Sequence, residues 1–435
     1  MEKENPSATL TEPAVRAACG LHSSLPPPPP VRRPPLGETL AEIRRTAALP
    51  LDQSTTLPPE AYCSPEFFQW ETDHVLAPGW QCVAHVSQLL AHGDFTTLDL
   101  LGEPLVIIRG KDGVIRALSR ICPHRGMDIM PPGFGRDGNG MATERTEGCG
   151  HTRLFLCPYH AWTFELDGRL KACPEMHEAT GFRRDAWGLP EYRCEVWQGF
   201  VFVNLDGTAD TSVAEQLAPI AGHVSLWNPA EAVIAVERTW DCPFDWKVLV
   251  ENFMESYHHA GAHRHSLQLL MPARDTWTEP ERPHFIRCHL PYRDKIRSQI
   301  RETESRGETW DVFPPIPGLP DRERHEWGLI LGYPHFLLAT APESLVWYRL
   351  QPLGAGRLRL FTTLLVPKET TARPDYAERL ARAEEAAIGF HLEDMECCTA
   401  VQRGYSARGS RRGRLSHLEM PIWLFQRYLA SRSIP

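Results

Sequence analysis

The sequence predicts an α+β protein in which a small all-β domain is inset into a larger domain whose antiparallel sheet is flanked by helices. Three observations carry that prediction. After Pro78-Gly79 a helical texture gives way to short β-rich runs punctuated by Gly-Asp, Gly-Glu and Lys-Asp-Gly, and this persists to Leu205. Beyond Asp206 helices and strands mix, with strands expected at 328–338, 344–350 and 358–366. A periodic run over 375–402, stopped by Arg403-Gly404, reads as one long helix.

Taken in order, residues 1–45 carry the proline run at 26–30 together with Pro34 and Pro35 and few large apolar side chains, so they read as a flexible tail. Residues 46–78 form the N-terminal helical part of the larger domain. There Ser64 is placed to cap a helix that has Pro65 in its first turn and Phe67, Phe68, Trp70, Val75 and Leu76 at helical spacing. The β domain spans 79–205, with strands at 80–86, 95–101, 104–109 and 114–119. A hairpin turns at Asp167-Gly168, and a buried strand at 200–205 closes the domain. The larger domain resumes over 206–435 with a helix at 213–223, a strand at 233–240 and a helix at 246–258. A polar, proline-punctuated stretch then fills 271–326.

With 435 residues, 42% hydrophobic content and 23% charge, the chain suits two soluble globular domains. A net charge of -9 argues against nucleic acid as a partner. No apolar run approaches the roughly 18 residues that span a bilayer, and no signal pattern opens the chain, so the expectation is a cytoplasmic protein without a membrane partner. Twelve cysteines in a chain of this length do not make a secreted disulfide framework. Most read as small core or surface residues, with Cys149 set apart by its place in an unusual loop.

The chemistry begins at Cys122-Pro-His124-Arg-Gly126 and Cys157-Pro-Tyr159-His160-Ala-Trp162. Each half offers one thiolate and one imidazole, so two loops pressed together can hold two metal ions with different ligand sets. That is the demand of a Rieske [2Fe-2S] cluster, in which two cysteines hold one iron and two histidines the other. A structural zinc site uses the same four ligands, but zinc fingers pair cysteine with cysteine and histidine with histidine. The flanking residues resemble the Rieske domain of ring-hydroxylating-type oxygenases, a family in which C-P-H-R-G and C-P-Y-H-x-W recur. One departure stands out: 32 residues separate His124 from Cys157, about twice the family spacing, with the excess in the Gly- and charge-rich run at 133–150. Such a loop can bulge into solvent without moving either ligand turn.

A second constellation lies within Glu251-Asn-Phe-Met-Glu255-Ser-Tyr-His258-His259-Ala-Gly261-Ala-His263. A mononuclear iron(II) oxygenase needs two histidines and a carboxylate on one face of the metal. His258 and His263 are the candidates. Five residues is not a same-face helical spacing, but Gly261 can end the helix and swing His263 back. His259 and His263 have the spacing of a zinc pair, yet no glutamate follows His259, and His265 reads as a surface or supporting residue. The stretch resembles the iron signature of the same family, where an acidic residue three positions before the first histidine bridges the two centres. Carried over, the bridge is Glu255, and glutamate there resembles the branch of carnitine, choline and related quaternary-ammonium monooxygenases. By the same resemblance the third ligand is a carboxylate far along the chain. Asp394 is chosen because Ile388, His391, Met395 and Cys398 share its face of the long helix while Glu396 falls on the other, with Glu393 as the alternative.

The resemblance implies the oxygenase component of a Rieske non-haem iron system, with a [2Fe-2S] cluster and Fe(II). Electrons would come from NAD(P)H through a separate flavin reductase or ferredoxin, since no G-x-G-x-x-G follows a strand here. It further implies a head-to-tail homotrimer and mono-oxygenation of a small quaternary ammonium substrate by hydroxylation or N-demethylation. Phe253, Tyr333, Phe336, Trp347 and Tyr348 are the aromatic candidates for holding such a cation. An aromatic-ring hydroxylating dioxygenase and a Rieske electron carrier without oxygenase activity are the alternatives. The basic run Arg403, Arg408, Arg411, Arg412 and Arg414 reads either as a solvated loop or as a docking patch for an acidic electron donor.

Overall fold

The run of short apolar segments after Pro78 folds into a seven-stranded antiparallel sheet. Its order is Gln81–His85, Phe200–Asn204, Glu191–Trp197, Ile115–Ser119, Glu103–Arg109, Asp94–Leu100 and Cys149–His151. The computed structural model describes residues 34–130 and 148–433, together with the backbone of the short strands Gly135–Arg136 and Ala142–Thr143. Most of the long insertion at 133–150 and the proline run at 26–30 lie outside those residues. Glu191–Trp197 is a strand the sequence reading missed, although Glu191 to Val196 alternate polar and apolar residues. Phe155–Leu156, Thr163–Phe164 and Leu170–Ala172 make a small sheet that carries the second ligand turn. Between the two sheets lies a core that includes Val106, Ile108, Leu118, Trp162 and Phe164.

The larger domain is built on a second seven-stranded sheet, also antiparallel throughout. In chain order its strands are β1 (Val233–Cys242), β2 (Trp277–Thr278), β3 (Phe285–Pro291), β4 (Glu326–Gly332), β5 (Phe336–Ala341), β6 (Ser344–Gly354) and β7 (Arg357–Val366). They lie side by side as β1-β7-β6-β5-β4-β3-β2. The single strand expected at 328–338 is two strands, β4 and β5, because Pro334 cannot donate to a ladder and the chain turns there, pairing Gly332 with Phe336. The polar stretch at 271–326 holds β3 and a helix, Asp294–Ser305. β3 escaped the sequence reading because Arg287 and His289 interrupt it. They lie beside Glu279, and His289 also bonds Glu326, while Ile286, Cys288 and Leu290 face the core.

Four helices frame this sheet: α1 (Leu36–Ala47), α2 (Trp246–Met254), α3 (Tyr376–Ser406) and α4 (Met420–Arg432). α1 corrects the tail boundary at residue 45. Pro35 starts the helix, and Ile43 and Ala47 are buried in one core with Leu424, Phe425 and Leu429 of α4. The helix expected at 213–223 is split into Val213–Gln216 and Ala218–Val224, with Leu217 between them and Pro219 in the second first turn.

The segment before the β domain is tied to the larger domain, which makes the β domain an inset. Arg412 donates to Thr56 O at 2.7 Å and to Thr46 Oγ1 at 2.8 Å and pairs with Glu42, while Arg414 donates to the carbonyls of Gln53 and Asp52. Arg412 is therefore an internal fastener rather than a docking charge, and Arg414, although exposed, ties the same two segments together. Deeper in, the Lys247 ammonium is fully buried 2.7 Å from Glu71 and 2.6 Å from Asp245. Burial of unpaired charge is costly, so this trio fixes α2 against the N-terminal helices. Asp245 also caps α2 by accepting from Lys247 N at 3.0 Å.

Candidate metal centres

The two ligand turns of the β domain share one backbone design. Gly126 N donates to Cys122 O at 3.0 Å and Ala161 N to Cys157 O at 3.1 Å, and the fourth residue after each cysteine has positive φ, 69° at Gly126 and 60° at Ala161. Glycine takes that conformation freely, whereas at Ala161 it costs about 1–2 kcal/mol, which the tightness of the turn must offset. Cys122 and Cys157 are buried, at 1% and 2% exposure. His124 and His160 lie nearer the surface, with ring centroids 4.8 Å apart. Trp162 stacks on His124 at 4.7 Å with 7° between planes, and Tyr159 packs on His160 at 3.8 Å.

The residues fit a two-iron cluster. His160 Nδ1 is buried without a hydrogen-bond partner, so a donor atom is held ready in the interior. Burial and the neighbouring Cys157 push the Cys122 thiol up to about 11, a state that metal binding reverses by replacing the proton. Cys149 lies elsewhere, exposed on the edge strand that pairs with Asp94–Leu100.

The second centre forms where α2 stops. The helix ends at Met254 rather than running to residue 258, because Glu255 is extended (φ -105°, ψ 147°), and a separate turn, Tyr257–Ala260, follows. Gly261 has ordinary right-handed dihedrals (φ -105°, ψ -72°), so the reversal that brings His263 back is made by the break at Glu255 and the irregular turn after it. His263 is fully buried.

One donor atom each from His258, His263 and Asp394 lies within 4.8 Å of the others. Asp394 Oδ1 is 2.9 Å from His263 Nε2 and 3.4 Å from His258 Nε2, and it accepts from Asn252 Nδ2 at 3.1 Å. Each histidine is oriented from behind by a carboxylate. His258 Nδ1 is 2.8 Å from Glu255 Oε1, and His263 Nδ1 is 2.6 Å from Glu393 Oε2. The other Glu255 oxygen accepts from His258 N at 3.0 Å. This fixes the tautomer that aims both Nε2 atoms at one point, as metal-ligating histidines require. Burial acts to lower His258, but hydrogen bonds to Asp394 and Glu255 outweigh it and bring it up to about 10. The same pair of imidazoles overcomes burial to hold Asp394 below the usual carboxylate range. The donor set of two imidazoles and one carboxylate fits iron(II).

Of the other sequence candidates, His259 is turned away, with Nδ1 3.0 Å from Met271 O, and burial lowers it to about 4. His265 is exposed and accepts from Arg264. Glu393 supports His263 and Ser266 Oγ, a role that residue spacing alone does not distinguish from that of a ligand. Asn252 went unnoticed in the sequence, although it lies one position after Glu251 on the same helix as the other site residues.

A cavity of about 70 Å³ opens beside the three donors, lined by Phe253, Tyr348, Phe390 and Trp327 among others. It adjoins a larger one of about 170 Å³ between the sheet and α3, and Trp327, Val346, Tyr348, Phe390 and His391 line both. Of the five aromatic candidates only Phe253 and Tyr348 face this space. Tyr333 is stacked on Tyr428 at 4.0 Å, and Phe336 and Trp347 pack against Phe200 in the core.

Comparison with known proteins decides the family. Residues 79–193 match the Rieske [2Fe-2S] domain, and residues 230–433 match the catalytic domain of the ring-hydroxylating alpha subunit. The chain is a Rieske domain joined to a ring-hydroxylating alpha-subunit catalytic domain. This alpha-type chain is 36% identical to the carnitine monooxygenase oxygenase subunit of Acinetobacter baumannii over 49% of its own length. That match takes in 53% of the relative, so the chain spans about half the length of the carnitine relatives it matches. It is 29% identical to the glycine betaine monooxygenase oxygenase subunit of Pseudomonas aeruginosa over 86% of this chain and 88% of that one. A solved quaternary ammonium Rieske monooxygenase superposes with a TM-score of 0.71 at 26% identity, over 93% of this chain and all of that one. The family match sets aside the structural zinc reading of Cys122, His124, Cys157 and His160. No described helix is long and apolar enough to cross a membrane.

Proposed function

We propose that the alpha-type chain is the oxygenase component of a Rieske monooxygenase that hydroxylates a quaternary ammonium substrate at a carbon next to nitrogen. The observation that carries this reading is the convergence of His258, His263 and Asp394 beside an aromatic-lined cavity, in a chain that also holds the two Rieske turns. Iron(II) held by these three residues would supply the site at which O2 is reduced. Cys122, Cys157, His124 and His160 would hold the cluster that passes on single electrons. One oxygen atom enters the C–H bond and the other leaves as water, using two protons and two electrons from NAD(P)H through a separate reductase. When the hydroxylated carbon belongs to an N-methyl group, loss of formaldehyde completes a demethylation.

The chain's own residues do the positioning. Aromatic faces of Phe253, Tyr348, Phe390 and Trp327 can hold a quaternary ammonium group at roughly 0.5–2 kcal/mol per contact while excluding water. Glu255 holds the His258 Nδ1 proton. In a head-to-tail trimer, a ring that closes through a heterologous interface, the same carboxylate faces His124 or His160 of the next copy and links the two centres. Exposed Leu156, Tyr159 and Trp187 around the cluster turns, and Tyr257 beside Glu255, are the apolar surfaces such a contact would cover. For the solved relative, inter-subunit electron transfer is described. We place the protein in the cytoplasm, where a reducing environment keeps the cysteines free.

The electron-carrier alternative gives no reason for three converging donors with two carboxylate backers. The test is O2 and NADH consumption with a surrogate reductase across betaines, carnitine, choline and aromatic acids, alongside iron per chain. The reading expects near three irons and ammonium-dependent O2 uptake. Uptake confined to aromatic acids would move the chain to the dioxygenase alternative, and two irons with no uptake would make it a carrier.

A further inference from the structure

The cavity beside the iron donors does not end there: its larger neighbour continues it between the sheet and α3, with Val346, Tyr348 and Phe390 among the residues that line both. The floor of this outer chamber is the β1-β7-β6 part of the sheet. There Val236, Leu364 and Val346 are cross-strand neighbours, and Arg238, Thr362 and Tyr348 form the next row. Its roof is α3, where Ala383, Ala386 and Ala387 are too small to close the gap. Along β6 the two cavities together extend from Tyr348 to Ser344, about 13 Å.

The outer chamber is apolar. Val236, Leu364, Val346 and Phe390 lie between sheet and helix yet are only partly buried, so a ligand that covers them gains the free energy of removing apolar surface from water. Among the described residues, neither lining offers a free positive charge. No lysine or arginine lines the cavity beside the donors, and Arg238, the one guanidinium of the outer chamber, donates to Glu384 at 2.7 Å. His391 has Nδ1 3.2 Å from the Tyr348 hydroxyl, and burial lowers it to about 4, so it is neutral. Asp311 and Glu343, at the far end, are carboxyls that hydrogen-bond each other. A substrate carboxylate brought here would lose its hydration with no cation to receive it.

We propose that the outer chamber holds an apolar tail, so that the substrate is a long-chain alkyltrimethylammonium cation rather than a small ammonium carboxylate. The quaternary head lies among the aromatic faces beside His258, His263 and Asp394, and the alkyl chain runs past Val346 between Leu364 and the alanines of α3. This rests on the oxygenase reading above for which end is oxidised. It sets the chain apart from relatives named for carnitine and glycine betaine, zwitterions whose carboxylate would find no free cation in the outer chamber.

The test measures binding to the metal-loaded full chain by calorimetry with butyltrimethylammonium, octyltrimethylammonium and the zwitterion ω-trimethylammonio-octanoate. The octyl cation should bind at least about tenfold tighter than the butyl one, because its extra methylenes are buried. It should also bind at least about tenfold tighter than the zwitterion of equal chain length. Val236 and Leu364 line the outer chamber and not the cavity beside the donors, so Val236→Trp and Leu364→Trp fill the tail's place, and in each the octyl cation should fall to the butyl level. A flat series, a zwitterion as tight as the octyl cation, or an octyl gain that survives both substitutions overturns the proposal. The wild-type series needs no variant, so misfolding of either one leaves the test intact. If the octyl gain holds but no probe supports O2 uptake, the oxygenase reading fails and the tail chamber stands. If butyltrimethylammonium is turned over while the octyl chain adds nothing to binding, the tail chamber alone fails.

Discussion

Glu393 and Asp394 are neighbours on α3 and both touch His263, so replacing each in turn separates a donor from its support. Glu393 Oε2 lies 2.6 Å from His263 Nδ1, while Asp394 Oδ1 lies 2.9 Å from His263 Nε2 and 3.4 Å from His258 Nε2. Removing the carboxylate behind a ligating histidine leaves the ring free to rotate and lowers its basicity, an effect of about 10–100-fold in metal affinity. Glu393 is 38% exposed, so water can replace part of what is lost, which places Glu393→Gln toward the lower figure. A tenfold loss is about 1.4 kcal/mol. Asp394→Ala removes a donor outright and should abolish binding at the mononuclear centre. The assay is iron per chain after dialysis against graded chelator, with the Rieske spectrum as an internal count of the two cluster irons. Glu393→Gln should hold near three irons in weak chelator and lose one at roughly tenfold lower chelator than wild type, whereas Asp394→Ala should never exceed two. The reverse pattern, with Glu393→Gln fixed at two and Asp394→Ala still loading a third, would make Glu393 the ligand and refute the geometry.

Three further outcomes follow from the same structure. Glu255→Ala should keep both metals and lose turnover; near-normal product formation by a fully metallated variant would remove the bridging role. Lys247→Met leaves the carboxyls of Glu71 and Asp245 buried without their ammonium, and should cost about 3–5 kcal/mol in denaturant unfolding. An unchanged midpoint would show the trio to be dispensable. Burial pushes Glu251 up to about 8 against the pull of its Tyr62 hydrogen bond. A carboxyl that holds its proton more tightly folded than unfolded gives stability that is full below about 4.5 and is lost as pH rises through about 8. Thermal stability should therefore fall across that window, and Glu251→Gln should flatten the fall. An equal slope in the variant would place the titration elsewhere.

Much of this was legible before any coordinates. Residue chemistry at fixed spacing singled out Cys122, His124, Cys157 and His160 as candidates, because a metal's ligand preference is written in residue types and both turns are local. The face of α3 that carries Asp394 was legible too, since helical periodicity separates His391, Met395 and Cys398 from the exposed Glu396. What lay beyond the sequence were contacts between segments far apart in the chain. The break at Glu255 is a tertiary compromise that no local propensity marks, and it replaced the glycine hinge expected at Gly261. Glu393 as the support of His263, Arg412 as a fastener for α1, and Trp327 as a wall of the chamber each depend on a partner at least sixty residues away. The sequence by itself determined which chemistry the chain can host, because donor atoms are a property of residues. Only the tertiary structure decided which atom faces which, because burial and orientation are properties of packing.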